Sequence, residues 1–161
     1  MSEFPEPYER EFAQRTLANL RLIEAEAKAD PGAAFEVTQL ICSLLGVLVM
    51  TKERSLHRDW RDMPLTDPRA SWIPTPKCVQ GTPCQTVGAA LRVLRNGVAH
   101  FNVEFVNEGG EIVGVNLWNI NPDTKKTTHR VCLEAKELRA FAERCPSLME
   151  EPPAKVILEE S

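Results

Sequence analysis

The hydrophobic pattern of this chain changes its period once, close to residue 102, and that change limits the folds it can adopt. Before it, apolar residues recur at steps of three and four positions, as on one face of a helix: Val87, Leu91, Leu94, Val98 and Phe101. After it, short apolar runs between Val103 and Leu133 are separated by the turn-forming segments 108–110 and 121–123. The pattern predicts a helix, with Thr82 as its N-cap, that leads into a three-stranded antiparallel meander.

Two further helical patterns precede this helix, and one follows the strands. Tyr8–Ala29 carries apolar residues on one side and is ended by Asp30-Pro31-Gly32, and residues 33–52 form a nearly all-apolar segment. Because the link between these two is short, we expect them to pack antiparallel. Residues 134–145 return to helical spacing. The predicted fold is mainly α, an antiparallel helical bundle with a short antiparallel β-meander inserted before the last helix.

The chain of 161 residues is long enough for one domain. We place that domain at residues 1–149, followed by an exposed, acidic, proline-containing tail at residues 150–161. The segment 55–84 is rich in proline and carries Trp60 and Trp72. We therefore expect a loop that is ordered by its aromatic side chains and is largely without regular structure.

The net charge and the cysteines of the chain limit the classes of protein to which it can belong. The formal net charge of −4 argues against a protein that coats nucleic acid generally, so RNA would have to meet a local basic cluster. The five cysteines are odd in number and scattered, which predicts reduced thiols and a cytoplasmic protein. Cys78 and Cys84 have no partner pair with zinc-ligand spacing. The uncharged run 37–51 is shorter than the roughly 20 residues that span a bilayer, so no membrane partner is predicted.

The segment Arg95-Asn96-Gly97-Val98-Ala99-His100 combines groups that an RNA-cleaving site uses. Histidine exchanges protons near neutral pH, and the planar, permanently charged guanidinium of arginine matches the oxygens of a phosphate. The ordinary alternative is an arginine in a surface salt bridge and a histidine that caps a core helix. No carboxylates or histidines with metal-ligand spacing accompany the segment, so no metal and no other cofactor is predicted.

The five-residue spacing between Arg95 and His100 makes it difficult for both side chains to reach one phosphate. At about 100° per residue, Arg95 and His100 lie about 140° apart around an ideal helix, so one straight helix does not easily aim both at one phosphate. Either the helix ends near Gly97 and lets His100 turn, or a second copy of the helix completes the site across a two-fold axis.

Other polar residues have ordinary structural explanations. His57 and His129 are expected on solvated surfaces. Gln39 belongs to the apolar second helix, where it either forms a helix–helix hydrogen bond or lines the cleft beside Arg95.

The pattern of Arg95, Asn96 and His100, late in a helix and followed by a β-rich segment, resembles the signature of the HEPN superfamily of ribonucleases and RNA-binding proteins. The apolar helix 35–48 is also similar to the matching helix of a plasmid- and genome-encoded group of HEPN nucleases. The resemblance covers most of residues 8–145. It implies that Arg95 and His100 are catalytic, that Asn96 orients them, and that two protomers form one cleft.

The residues and the resemblance together predict a homodimeric, metal-independent endoribonuclease. His100 would take the proton of a ribose 2′-hydroxyl, Arg95 would stabilise the charge on the phosphate, and Asn96 would orient the histidine or contact the ribose. We expect three further residues to contact the RNA: Arg92, Gln39 and Asn102. A toxin–antitoxin or phage-defence role, with an antitoxin or other regulatory protein as partner, belongs to the same hypothesis. The alternative is a non-catalytic RNA-binding or protein-interaction module of the same fold.

Overall fold

The computed structural model describes residues 8–30, 39–40, 42–43 and 56–154. The helices named within these ranges are α1 (Tyr8–Ala29), α2 (Arg58–Asp62), α3 (Val87–Ala99) and α4 (Ala135–Arg144). Short 3₁₀ turns span Pro68–Ala70 and Cys145–Met149. The strands are β1 (Lys77–Cys78), β2 (Val103–Glu108), β3 (Glu111–Ile120) and β4 (Thr127–Glu134).

The strands form one antiparallel sheet in the order β1-β4-β3-β2. A Gly109-Gly110 turn joins β2 to β3, and both glycines have the positive φ that such a tight turn needs. The register places Val115 opposite Leu133 and Leu117 opposite Val131, and all four side chains are buried. The prediction of three consecutive antiparallel strands after the motif helix is therefore confirmed.

The prediction of a mainly α, antiparallel helical bundle is wrong. The described residues fold into an α+β arrangement, in which a four-stranded antiparallel sheet packs against the motif helix α3. The sheet is larger than a short insert because β3 is 10 residues long and because Lys77–Cys78, in the proline-rich segment, adds a strand beside β4. Short apolar runs give a weaker periodic signal than the apolar stripe of a helix, so the hydrophobic pattern predicts a smaller sheet than the structure contains. The antiparallel packing predicted for the first two helices depends on residues that lie outside the described ranges.

Helix α3 approaches β3 closely at Gly97. A Cβ atom at this position would lie 3.3 Å from the Trp118 carbonyl oxygen and 3.4 Å from Leu117 Cβ. Glycine within a helix costs about 1 kcal/mol relative to alanine, and here the missing side chain lets the helix lie almost directly on the strand. The buried face of α3 includes Val87, Ala90, Leu91, Leu94 and Val98.

Helix α3 begins later than the sequence predicts. Its N-cap is Thr86, whose hydroxyl accepts a hydrogen bond from the Ala89 N–H at 3.3 Å. The predicted N-cap, Thr82, lies in a segment without regular secondary structure before the helix. Tertiary pairing explains the shift, because the Val87 N–H donates to the Met63 carbonyl at 2.9 Å and the bridge between Thr86 and Pro64 holds Thr86 in an extended conformation.

Aromatic packing orders the described part of the segment 55–84, as predicted. Trp60 and Trp72 meet edge to face with their ring centroids 5.9 Å apart, and Trp72 packs against Phe141 of α4 at 6.0 Å. The Arg144 guanidinium lies over the Trp72 ring at 4.7 Å from its centroid. The segment is more regular than expected, because it contains α2, a 3₁₀ turn and β1.

Polar contacts attach both ends of the described chain to the rest of the fold. Arg139 of α4 forms a two-pronged ion pair with Glu24 of α1. Near the other end, Arg69 Nη1 donates to the Pro153 carbonyl at 3.0 Å. The division into a domain at 1–149 and a tail at 150–161 stays a prediction, and residues 155–161 lie outside the described ranges.

Candidate active site

The motif helix ends immediately before His100, which is its C-cap. The next residue, Phe101, has a φ of +52°. Its N–H donates to the Val98 carbonyl at 3.1 Å, and the Asn102 N–H donates to the Gly97 carbonyl at 2.8 Å. These two bonds form the Schellman motif that closes many helices, here with phenylalanine at the position that usually holds glycine. The helix therefore does end close to Gly97, as one of the two predicted alternatives requires.

The imidazole of His100 is exposed. Its backbone N–H is bound to the Asn96 carbonyl at 3.1 Å, which fixes the position of its Cα atom at the helix end. The side chain itself makes no hydrogen bond within the ranges that the structure describes. The ring is therefore accessible to a ligand and can change rotamer.

Arg95 is held by the neighbouring amide. Its Nη1 donates to Asn96 Oδ1 at 2.9 Å, and Asn96 Nδ2 donates to Asn119 Oδ1 on β3 at 3.1 Å. Arg95 and Asn96 are both half-buried. The structure thus brings together the arginine and the asparagine of the motif. It forms no hydrogen bond from either side chain to His100 within the described residues.

The hydrogen bonds continue from Asn119 across the sheet. Asn119 Nδ2 donates to Thr128 Oγ1 at 2.9 Å, Thr128 Oγ1 lies 3.1 Å from His129 Nδ1, and His129 Nε2 lies 3.1 Å from the Thr82 carbonyl oxygen. A carbonyl oxygen only accepts, so a neutral His129 carries its proton on Nε2 and offers Nδ1 as an acceptor. The single Thr128 hydroxyl proton is shared between this nitrogen and the Asn119 carbonyl oxygen, which lies 3.3 Å from Thr128 Oγ1.

The donors of Arg95, Asn96 and Asn119 all point in the same direction, toward Thr128. We call this set the polar relay: Arg95, Asn96, Asn119, Thr128 and His129. Hydrogen bonds in one chain polarise one another, so the relay holds the Arg95 guanidinium more firmly than a single contact would.

A β-bulge makes the relay possible. Asn119 pairs with His129, whereas Ile120 pairs with Thr127, so Thr128 is an extra residue in β4. The bulge redirects the Thr128 side chain from its expected place in the alternation and brings its hydroxyl to Asn119.

Comparison with protein families assigns the chain to a family. Residues 1–153 match the family described as HEPN pEK499 p136. The chain belongs to this HEPN family. The resemblance drawn from Arg95, Asn96 and His100 is thereby confirmed. HEPN domains are often ribonucleases, commonly bind RNA and often dimerise, although some have no catalytic activity. No curated protein and no solved structure matches the chain.

Three residues of this HEPN domain's polar relay were not predicted as part of the site: Asn119, Thr128 and His129. His129 was expected on a solvated strand, yet it is half-buried and bound at both ring nitrogens. One signal was present in the sequence. Asn119 has the same strand parity as the buried residues Val115 and Leu117, so an amide falls on the apolar face of β3.

The predicted RNA contacts of the HEPN domain occupy different places. Arg92 is exposed on α3, one helical turn before Asn96. Arg92 lies near Cys84. Burial raises the pKa of the Cys84 thiol, and the neighbouring Cys78 raises it further, whereas the positive charge of Arg92 lowers it. Asn102 is half-buried, and its carbonyl accepts the Trp118 N–H at 3.2 Å, which ties the end of α3 to β3.

Gln39 lies in one of the short described stretches of the apolar segment. Its Nε2 donates to Ser43 Oγ at 3.4 Å, four residues later, and the Ser43 side chain is buried. Its amide is thus engaged along its own segment, and a contact with RNA stays a prediction. His57 has an ordinary structural role, because its Nδ1 accepts the Asp59 N–H at the start of α2.

The described residues contain no group of three or more histidine, cysteine, aspartate or glutamate side chains that could hold a metal ion. All five cysteines are free thiols. None of the helices in the described ranges is both long and apolar enough to cross a bilayer.

Proposed function

We propose that this HEPN domain is a homodimeric, metal-independent endoribonuclease with Arg95, Asn96 and His100 as its catalytic set. One observation carries the proposal. The polar relay fixes the Arg95 guanidinium at the same helix end that presents an exposed histidine. A charged group held in place before the reaction stabilises developing negative charge better than a mobile one, because it needs no reorganisation.

The proposed reaction is a transesterification within the RNA. His100 takes the proton of a ribose 2′-hydroxyl as the 2′-oxygen forms a bond to the adjacent phosphorus. The bond from phosphorus to the 5′-oxygen breaks, and that oxygen is protonated by water or by the imidazolium of the second motif. The products are a 2′,3′-cyclic phosphate and a 5′-hydroxyl. Arg95 stabilises the charge on the phosphoryl oxygens through its planar fork.

The geometry changes the role that we propose for Asn96. Its Oδ1 accepts from Arg95 and its Nδ2 donates to Asn119, so its amide is directed at the arginine and not at the histidine. We therefore propose that Asn96 positions Arg95, which in turn contacts the phosphate.

A dimer resolves the separation between Arg95 and His100. Arg95 is drawn toward β3 through Asn96, whereas His100 is exposed at the C-cap, and the period of an ideal helix sets these two positions about 140° apart. Two copies of α3 related by a two-fold axis would set the arginine of one protomer near the histidine of the other. The shared cleft would also double the local positive charge, which an acidic chain needs for binding RNA.

The rest of the proposed binding surface is local and basic. Lys125 and Lys126 are exposed in the turn that follows β3, a few residues after Asn119 of the relay. With Arg92 they would contact the RNA backbone on either side of the cut, and Asn102 and Gln39 would add polar contacts. We place the activity in the cytoplasm, in a toxin–antitoxin or phage-defence setting where an antitoxin or other regulatory protein restrains it.

A second candidate is favoured by the state of His100. Its side chain has no hydrogen-bond partner within the described residues to orient it as a base. A non-catalytic RNA-binding or protein-interaction module would show the same feature, since binding needs no oriented histidine.

The decisive experiment incubates the purified protein with single-stranded RNA and maps the ends of the fragments. We expect cleavage that survives a chelator, spares DNA, and spares RNA with a 2′-O-methyl group at the cut. His100→Ala should lower the rate by at least about 100-fold, which is typical of a lost general base. Arg95→Ala should have a similar effect, and Arg95→Lys should recover little of it.

His57→Ala is the matched control, because it removes a histidine whose role is to cap α2. This variant should cleave at the rate of the original protein. Loss of cleavage with a chelator, or normal cleavage by His100→Ala, would show that the mechanism is wrong. Tight RNA binding without any cleavage would establish the binding module instead.

A further inference from the structure

Phe101 is unusual in two independent ways. It exposes 70% of its surface, although it is a large apolar side chain. It also has a φ of +52°, in the left-handed region that favours glycine and asparagine. Glycine would satisfy the Schellman motif without backbone strain, so neither burial nor local geometry explains a phenylalanine here. Strain of this kind, when observed, points to a role other than stability.

We propose that Phe101 is a binding residue of the RNA site and stacks on an unpaired nucleobase beside the scissile phosphate. The proposal deepens the proposed function and rests on RNA as the ligand of the His100 end of α3. Adjacent Cα atoms are about 3.8 Å apart, so a nucleotide whose 2′-hydroxyl meets His100 has its base within reach of the next side chain.

The backbone around Phe101 is held firmly. Its own N–H is bound to the Val98 carbonyl, the Asn102 N–H is bound to Gly97, and the Asn102 carbonyl accepts the Trp118 N–H from β3. The ring therefore extends from a fixed point on the surface, and ordering it in a complex needs only the rotation of its own side chain.

The chemistry of the residue indicates the class of ligand. A phenylalanine ring has a flat apolar face and no hydrogen-bonding group, so it can stack on any base without reading its edge. Single-stranded RNA offers such unpaired faces, whereas the bases of a duplex are covered by their neighbours. The site should therefore prefer single-stranded or looped RNA with little sequence preference at this position.

The test measures RNA affinity in a His100→Ala background, where cleavage does not interfere. The probe is a short fluorescein-labelled single-stranded RNA, with a series of versions in which one position at a time is abasic. Phe101→Asn should weaken binding by roughly 5- to 150-fold, the usual effect of losing one stacked base. Phe101→Tyr keeps the ring and should bind within about twofold of the parent.

Loss of folding does not confound this test. Asparagine and glycine adopt the left-handed backbone readily, so Phe101→Asn and Phe101→Gly should unfold at the same temperature as the parent or a few degrees higher. Leu22→Ala is the matched control, because Leu22 of α1 is also a large apolar residue with most of its surface exposed, 65%. Its affinity for RNA should not change.

The abasic series separates stacking from other effects. In the parent, one abasic position should weaken binding strongly, and in Phe101→Asn the same position should have no further effect. Independent effects of the two changes would overturn the proposal, as would unchanged affinity in Phe101→Asn. A change in dimerisation with unaltered affinity per site would assign Phe101 to a protein contact instead. Absence of cleavage by the wild type would refute the nuclease and leave this binding result standing.

Discussion

The polar relay predicts a specific effect for Thr128→Val, which removes one hydroxyl and nearly keeps the shape of the side chain. The hydroxyl accepts from Asn119 Nδ2 at 2.9 Å and lies 3.1 Å from His129 Nδ1. Each hydrogen bond contributes about 1 kcal/mol net, and both partners would be left unsatisfied in a half-buried place. We expect the free energy of unfolding to fall by about 2–3 kcal/mol, which corresponds to roughly 4–10 °C in the midpoint of thermal unfolding.

The same change should lower catalysis through the arginine. Without Thr128 to hold it, Asn119 no longer fixes the Asn96 amide, and the Arg95 guanidinium loses one of the contacts that position it. Misplacement of a charge-stabilising group acts mainly on the transition state. We therefore expect kcat to fall by about 10-fold, with KM changed by less than about twofold.

Two matched variants make this prediction sharp. Thr128→Ser keeps the hydroxyl and should recover most of the stability and the activity. Thr127→Val makes the same chemical change one residue earlier, where the side chain has no hydrogen bond within the described residues, and should behave like the wild type. Thermal unfolding followed by circular dichroism and cleavage of a labelled RNA give the two readouts. The relay has no such role if Thr128→Val matches the wild type, or if Thr127→Val loses as much.

Four further predictions concern packing, thiol reactivity, the pH dependence of stability and charge. Gly97→Val should lower the thermal midpoint and abolish RNA cleavage, because its side chain would meet the backbone of β3 and push the motif helix away. Burial raises the pKa of the Cys145 thiol strongly, so iodoacetamide at pH 8 should modify the exposed Cys132 and leave Cys145 intact until the protein unfolds, as read by peptide mass spectrometry. The folded state then holds the Cys145 proton more tightly than the unfolded state. Stability should therefore fall as the pH rises above about 9, and Cys145→Ala should lack this component in pH-dependent denaturation. Arg139→Ala should lower the free energy of unfolding by about 2 kcal/mol in urea titrations, because it breaks the two-pronged pair between α1 and α4, and Arg139→Lys should recover only part of this loss.

Local patterns predicted the elements whose residues are neighbours in sequence. The apolar stripe of Tyr8–Ala29 predicted α1 with its observed bounds, and the short runs after residue 102 predicted the strands of the meander. The fold class was missed because it depends on how these elements associate. The pairing of Lys77–Cys78 with β4 connects residues about fifty positions apart, and no local periodicity encodes that contact.

The candidate site also has a part that the sequence predicts and a part that only the tertiary structure shows. Arg95, Asn96 and His100 lie within one helical turn and a half, so the HEPN family could be recognised from the sequence alone, and catalysis by these residues stays a prediction. The residues that hydrogen-bond to Asn96 and complete the relay could not be predicted from the sequence. Asn96 meets Asn119 across 23 positions, and Thr128 reaches Asn119 only because the register slips at a bulge.

The sequence by itself therefore determined which reactive groups are present and which helix carries them. Only the tertiary structure decided that Arg95 is hydrogen-bonded to Asn96, that His100 is an exposed C-cap residue and that Phe101 is exposed beside it. The physical reason is that side-chain type and helical period are local properties. Hydrogen-bond partners, burial and backbone strain depend instead on which distant segments pack against the helix end.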